Sequence, residues 1–161
     1  MLTQELLKEF TEYDPDTGIF RWRKLSGYKG FVGKTIGSVH SCGYLEARIA
    51  GRRCFLHRAA WLYVTGEMPR YIDHINGDRT DNRWVNLRNA TAQQNGANAR
   101  VGKNNKSGKK GAHLSERGVW IANIHVNHKT IYLGSFTNKD EAHEAYVQAA
   151  NKHFGEFARA E

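Results

Sequence analysis

Four polar residues near the middle of the chain could together hold a divalent metal ion and a general base. Asp73 and His74 are adjacent, and Asn86 and Asn95 follow them. Mg²⁺ commonly takes one or two protein oxygens and completes its octahedron with waters and phosphate oxygens, so Asp73 and Asn95 suffice as ligands. His74 can deprotonate a water near neutral pH, since an ordinary histidine has a pKa of about 6.5. This set is typical of metal-assisted chemistry on a phosphate group.

Short strands and a helix are the predicted elements that would position these residues. Two strands, over residues 71–75 and 84–88, are separated by a polar loop. Thr91 begins a helix, because the residue three positions later completes a capping box. The predicted order is strand, loop, strand, helix, which places Asn86 on the second strand and Asn95 on the helix.

With this arrangement the chain resembles the HNH endonucleases, in particular the homing-type and phage enzymes that have Asn in place of the final histidine. The resemblance covers residues 14–98, and the motifs that carry it are HR (57–58), DHINGD (73–78), DNR (81–83), NLR (86–88), AT (90–91) and Asn95. It implies a ββα-metal fold that hydrolyses DNA to 5′-phosphate and 3′-hydroxyl ends. By this resemblance, Asp73 and Asn95 are the ligands for Mg²⁺ or Mn²⁺, and His74 is the general base. Asn86 is the asparagine that holds the loop and helps to orient that base.

A zinc site fits the sequence less well. The chain lacks the CxxC pairs of zinc-binding family members, and its two cysteines occur in H-x-C and C-x-x-H spacings at His40, Cys42, Cys54 and His57. Two cysteines in such a chain are more often small core residues. We therefore do not expect zinc. The role of His57 and Arg58 stays open between a structural one and a phosphate contact.

Basic side chains are concentrated after the predicted nuclease domain. The chain has 24 Lys and Arg against 16 Asp and Glu, a formal net charge of +8. The segment VGKNNKSGKKG (101–111) is poor in apolar residues and predicts a flexible linker. Five bases occur over residues 100–110 without an intervening acid: Arg100, Lys103, Lys106, Lys109 and Lys110. We expect them to follow phosphates, the alternative being a solvated tether.

The C-terminal residues predict a small sheet and a helix. GVWIANIHVN (118–127) alternates between apolar and polar residues, and KTIYLGSF (129–136) follows after a tight turn. The side chains predicted to pack on the helix are Trp120, Ala122, Ile124, Ile131 and Leu133. Residues 138–154 predict that helix, with an apolar stripe of Ala142, Ala145, Tyr146, Ala149 and His153.

Residues 107–158 resemble the AP2 DNA-binding domain through GVWIANIHV, YLGSF, EAHEAYVQAA and HFGEFA. This resemblance implies a three-stranded antiparallel sheet that lies in the DNA major groove and is backed by one helix. The outer face would contact DNA through Asn123, His125, Thr130 and Tyr132, with phosphate contacts from Arg117, Lys110 and Lys129. Plant members carry more arginines on this face, so we expect loose positioning on DNA rather than strong base readout. A solvated or protein-binding face is the alternative.

The sequence therefore predicts an α+β protein with an HNH nuclease domain (1–98), a basic linker (99–111) and an AP2-like domain (112–161). The expected function is a metal-dependent, homing-type endonuclease acting on double-stranded DNA, as a monomer that nicks. The alternative is a non-catalytic DNA-binding regulator. An RNA-binding protein is a weaker hypothesis, because the sheet lacks an aromatic stacking platform. No apolar run approaches the ~20 residues of a membrane span. We expect a cytoplasmic protein, in the host if phage-encoded, without an obligate protein partner.

Overall fold

Residues 2–23, 32–102 and 104–160 are described in the structure, a computed structural model of the chain. Lys103, one of the predicted DNA-contacting bases, lies outside them. The chain divides into an N-terminal unit, Met1–Asn89, and a C-terminal unit, Ala90–Glu161. This division differs from the predicted boundary after residue 98, because the helix that follows Thr91 packs within the C-terminal unit. Among the described helices, none has the length and apolar character needed to cross a membrane.

The N-terminal unit begins with a helix and a hairpin. Helix α1 (Gln4–Phe10) starts at Thr3, whose hydroxyl accepts a hydrogen bond from Leu6 N at 3.3 Å. The chain then turns into strand β1 (Thr11–Asp14), which pairs with β2 (Ile19–Trp22) in an antiparallel hairpin. The spacing of apolar residues over 3–12 predicts a longer helix. Helix α1 ends earlier because Thr11 is extended and its hydroxyl donates to Leu7 O at 2.7 Å.

A second small sheet and a buried helix complete most of this unit. The sheet has the antiparallel order β3 (Ser38–Val39), β4 (Leu45–Ile49), β5 (Arg52–Phe55). The sequence pattern of residues 35–40 predicts a longer first strand than the two residues of β3. Helix α2 (Leu56–Thr65) ends at Gly66, which has φ +77° as the sequence predicts for a helix-terminating glycine. Helix α2 is central to the core because its buried side chains recur at helical spacing: Leu56, Ala59, Ala60 and Leu62.

The segment with the predicted catalytic motif forms a short antiparallel pair. Strand β6 (Ile72–His74) pairs with β7 (Leu87–Asn89), with Ile72 opposite Asn89 and His74 opposite Leu87. The strand predicted over 84–88 is wrong in its first half, since Trp84–Asn86 forms a 3₁₀ turn. Trp84 N donates to Pro15 O at 2.9 Å, a long-range bond that sequence pattern does not reveal. Asn86 therefore lies in the turn before β7 and not on the strand.

The C-terminal unit contains α3 and a three-stranded sheet packed on one long helix. Helix α3 (Ala92–Ala97) starts with the predicted capping box between Thr91 and Gln94. The antiparallel sheet has the order β8, β9, β10, and α4 contacts all three strands. Their bounds are Ala112–Leu114 for β8, Trp120–Val126 for β9, Lys129–Phe136 for β10 and Lys139–Phe154 for α4.

Two predicted core positions of this unit are wrong. His153 is exposed, because the buried stripe of α4 advances in four-residue steps through Ala142, Tyr146 and Ala150. Ile131 keeps 38% of its surface exposed, although it lies opposite the buried Ile124. The register of β9 and β10 shifts between Tyr132 and Gly134, and Leu133 at this bulge packs against the core instead.

Candidate functional site

Strand β6 places Asp73 and His74 side by side in the interior of the N-terminal unit. Each side chain belongs to a residue that is 4% exposed. Asp73 lies opposite Arg88 in the strand register. A buried carboxylate and a buried imidazole at neighbouring positions need partners for their polar atoms, because unsatisfied buried polar groups are costly.

Arg88 supplies the partner of the Asp73 carboxylate. Its Nε donates to Asp73 Oδ2 at 2.9 Å, and its Nη2 lies 2.8 Å from the same oxygen in an ion pair. The guanidinium compensates the buried negative charge, which would otherwise carry a large desolvation cost. An ionised carboxyl can accept at both oxygens, so pairing at Oδ2 is compatible with a metal contact at the same residue. Sequence analysis assigned Arg88 no role, although it stands in the NLR motif.

Asn82 orients the ring of His74. The Oδ1 of Asn82, a residue only 1% exposed, lies 3.2 Å from His74 Nε2. Because a carbonyl oxygen only accepts, this hydrogen bond assigns the ring proton to Nε2 and the basic lone pair to Nδ1. Burial lowers the pKa of His74, while the bond to Asn82 and the charge of Asp73 partly oppose that shift. The ring is therefore neutral at neutral pH, as a general base must be.

Asn86 holds the loop from which Asn82 projects. Its Nδ2 donates to Asp81 O at 2.8 Å and to Asn76 Oδ1 at 3.1 Å, while its Oδ1 accepts from Asn76 N at 3.0 Å. These bonds fasten both ends of the polar loop to the 3₁₀ turn. Sequence analysis named Asn86 for this loop and for orienting His74. The ring contact itself is made by Asn82, which the DNR motif contains but which no spacing rule singles out.

The N-terminal hairpin supports the same loop from the other side. Tyr13 OH donates to Asn82 O at 2.7 Å, across 69 residues of sequence. Gly18 has φ +73°, and a Cβ there would lie 2.4 Å from Arg83 N and 2.5 Å from Asn82 C. Only glycine permits this approach of the β1–β2 turn to the loop. Residues far from the motif thus fix the backbone that carries Asn82.

A cluster of rings packs around His74. The centroid of the His57 ring lies 5.2 Å from that of His74 and 4.7 Å from that of Tyr44, and Phe55 lies 5.8 Å from His57. His57 is 7% exposed, and its Nδ1 has no hydrogen-bond partner among the residues that the structure describes. Burial, followed by the neighbouring His74 and Arg58, lowers the pKa of His57 to about 3, so the ring is neutral. His57 is thus a packing neighbour of the predicted base.

The predicted metal ligands belong to different units of the chain. Asp73 lies in the N-terminal unit, and Asn95 lies on α3 in the C-terminal unit, half-buried. Within the described parts of the chain, no three or more His, Cys, Asp or Glu residues are grouped so that they could hold a metal ion. Of the residues weighed for zinc, His40 Nδ1 lies 2.8 Å from Cys42 Sγ in an exposed turn.

The outer face of the C-terminal sheet carries the polar residues predicted to contact DNA. Asn123 lies opposite Tyr132 and His125 opposite Thr130, so the four side chains share one face. Asn123 is half-buried and the other three are exposed. His125 Nδ1 lies 3.4 Å from Thr130 Oγ1, and Tyr132 OH contacts Ser135 Oγ.

The predicted phosphate-contacting bases differ in their surroundings. Four of them are exposed: Arg100, Lys106, Arg117 and Lys129. Lys109 Nζ pairs with Asp140 at 3.1 Å. Lys110 instead donates to the carbonyl oxygens of Ala97 and Ala99, and burial, followed by the charge of Arg159, lowers its pKa to about 8. Its ammonium therefore ties the end of α3 to the start of β8, a structural role that the charge pattern alone did not reveal.

Comparisons with known proteins show the family of this chain. A family model described as HNH endonuclease matches residues 54–97, which include Asp73, His74 and Asn95. The chain is 32% identical over 141 residues to an uncharacterized HNH endonuclease of Acanthamoeba polyphaga mimivirus, covering 86% of this chain and 69% of that protein. It is 37% identical over 71 residues to protein 3.8 of Escherichia phage T7, covering 42% of this chain and 59% of that protein. No solved structure matches. The chain belongs to the HNH endonuclease family, whose members are DNA-cleaving hydrolases.

Proposed function

We propose that the protein is a metal-dependent endonuclease that hydrolyses one strand of double-stranded DNA, with His74 as the general base. The observation that carries this proposal is the buried His74 ring, whose Nε2 is held by Asn82 at 3.2 Å beside the ion-paired Asp73. A neutral imidazole with a fixed tautomer is poised to accept a proton from water. Nδ1 is the accepting atom in this proposal, and the negative charge of Asp73 favours the resulting imidazolium.

In this reaction the proton of a water passes to His74 Nδ1 while the water oxygen attacks the phosphorus. The bond from phosphorus to the 3′ oxygen breaks and the 3′ oxygen takes a proton from a solvent water, which leaves 5′-phosphate and 3′-hydroxyl ends. Asn82 keeps the ring in place during this transfer, and Asn86 keeps the loop of Asn82 in place. Arg88 pairs with the buried side chain of Asp73 and offsets its charge.

The metal ligands in this proposal are Asp73 and Asn95, which offer a carboxylate and an amide oxygen. Oxygen donors of these types suit Mg²⁺ or Mn²⁺. When bound, the metal would neutralise charge on the phosphate and on the leaving oxygen. The ion pair of Asp73 with Arg88 supports this role, because the guanidinium offsets the desolvation cost of a buried carboxylate.

The remaining features of the proposal concern the substrate. The exposed outer face of the C-terminal sheet and the exposed bases Arg100, Lys106, Arg117 and Lys129 would position duplex DNA, in the manner of an AP2-like domain. A homing role in a phage or another mobile element, acting in the host cytoplasm, fits the viral and phage origin of the two relatives.

The test is conversion of supercoiled plasmid by the purified protein in Mg²⁺ or Mn²⁺. We expect nicked circles that are absent with EDTA and with His74→Ala, while His153→Ala, which alters an exposed histidine on α4, keeps full activity. End-labelling with and without phosphatase would confirm the 5′-phosphate. Equal activity of His74→Ala and wild type would refute the role of His74. Salt-sensitive DNA binding without cleavage under any condition would instead identify a DNA-binding regulator.

A further inference from the structure

The outer face of the sheet β3–β4–β5 carries a cluster of arginines that the proposed function does not use. The strand register places Arg48 directly opposite Arg53, and Glu46 directly opposite Phe55. Since directly opposite side chains share a face and alternate residues point the same way, these four lie together. The other face packs on the core through the buried Ile49.

The charge of this face is unbalanced. Arg48 and Arg53 are both exposed on this face, on either side of the hairpin turn. One carboxylate is near, Glu46, whose Oε2 lies 3.7 Å from Arg53 Nε. Like charges directly opposite one another in an antiparallel pair destabilise it. The arginine pair therefore weakens the isolated hairpin, and a bound polyanion would remove that repulsion.

The arginines adjoin the ring cluster of the candidate active site. Arg53 precedes Phe55 on β5 by two residues, a span of about 7 Å along a strand. The Phe55 ring contacts Tyr44 at 5.5 Å and His57 at 5.8 Å between centroids, and His57 contacts His74 at 5.2 Å. The basic face thus continues without interruption into the residues around the general base, and all of them belong to the N-terminal unit.

We propose that this arginine face, formed by Arg48 and Arg53, binds the phosphate backbone of duplex DNA next to the phosphate that is cleaved. Arginine suits this role because its planar fork of donors matches phosphate oxygens. The substrate class rests on the proposed function. The new element is a DNA contact within the N-terminal unit itself, independent of the C-terminal sheet and the basic residues before it.

The test is DNA binding measured without cleavage. A short duplex is titrated with His74→Ala protein in EDTA over a series of salt concentrations, with and without the double change Arg48→Gln/Arg53→Gln. Each neutralised phosphate contributes about 0.9 to the slope of log affinity against log salt, so the double change should lower that slope by about 1.8. If the parent and the double variant bind equally in 1 M salt, the variant should bind about 60-fold more weakly than the parent in 0.1 M salt.

Two further variants separate a local contact from a general charge effect. The matched control Lys8→Gln/Arg23→Gln also removes two exposed positive charges from the N-terminal unit, at α1 and after β2, and should leave the slope nearly unchanged. Arg48→Lys/Arg53→Lys keeps the charge and should restore most of the slope. Because the arginine pair is repulsive, the glutamine variant should melt at the same temperature as the parent or higher.

The outcomes distinguish this inference from the proposed nuclease activity. An unchanged slope in Arg48→Gln/Arg53→Gln, or an equal loss of slope in the Lys8→Gln/Arg23→Gln control, would refute DNA binding by the arginine face. Neither result would bear on the nuclease proposal, which plasmid nicking tests. A specific loss of slope in a protein that never cleaves DNA would support the arginine face and refute the nuclease proposal. A loss of slope that comes with a lower melting temperature, and that Arg48→Lys/Arg53→Lys does not restore, would also refute DNA binding by this face. It would show that the two arginines have a structural role.

Discussion

Acidification should destabilise the N-terminal unit through His57. In the folded protein the pKa of this ring is lowered to about 3, first by burial and then by the nearby His74 and Arg58, from an ordinary value of 6.5. Between pH 6.5 and pH 3 the unfolded chain therefore binds a proton that the folded protein does not. The contribution of His57 to the free energy of unfolding is therefore complete above pH 6.5, decreases as the pH falls through this window, and levels off near pH 3.

The size of the effect follows from the pKa difference. One pKa unit corresponds to about 1.4 kcal/mol, so the loss at pH 5 is about 2 kcal/mol and the complete loss is about 5 kcal/mol. His57 is 7% exposed, so solvent screening reduces these values little. A loss of 2 kcal/mol is a large part of the free energy of unfolding of a small domain.

Urea denaturation at pH 7 and pH 5 measures this loss. Tryptophan fluorescence reports mainly on the N-terminal unit, which contains Trp22, Trp61 and Trp84. In His57→Phe, which keeps a ring among the neighbouring rings, the difference between the two pH values should shrink by about 2 kcal/mol. If His57→Phe loses as much stability at pH 5 as the wild type does, the assignment of the acid sensitivity to His57 is refuted.

Three further substitutions test the roles assigned above. Asn82→Ala should lower kcat by tenfold or more, part of the ~10²- to 10⁴-fold that a general base contributes, with DNA affinity unchanged in a binding assay. Arg88→Met should destabilise the N-terminal unit by about 3–5 kcal/mol in urea, because it leaves a buried carboxylate uncompensated. Adding Asp73→Asn to Arg88→Met should recover part of that stability without restoring cleavage, and no recovery would contradict the ion-pair argument. Lys110→Gln should lower the melting temperature of the C-terminal unit, whereas Lys106→Gln should not; equal melting temperatures would place both lysines in the same solvated role.

Features set by local rules were predictable from the sequence. The capping box at Thr91, the end of α2 at Gly66 and the strict alternation along β9 each follow from neighbouring residues, and the structure has all three. The adjacent pair Asp73 and His74 was found for the same reason, since two unlike chemical groups at one strand end form a compact pattern.

Features set by distant contacts were not predictable. The 3₁₀ turn Trp84–Asn86 forms where Trp84 N bonds to Pro15 O, a partner that no local pattern identifies. Asn82 is one of several polar residues in a loop, and its contact with His74 depends on how that loop folds back. Lys110 was one base in a run of bases, and its two carbonyl partners lie before the run rather than in it.

The hydrogen bond from Tyr13 to Asn82 has a consequence for how the enzyme acquires activity as it folds. Because the bond joins residues 69 positions apart, its formation costs more conformational entropy of the chain than a local contact does. Strands β6 and β7 could pair early and bring Asp73, His74 and Arg88 into place while the Asn82 loop is still loose. A chain shortened by its first 18 residues would keep the entire segment that matches the family and still lack a fixed general base. Nuclease activity is thereby linked to completion of the N-terminal unit, and partly folded chains would be poor at cutting DNA.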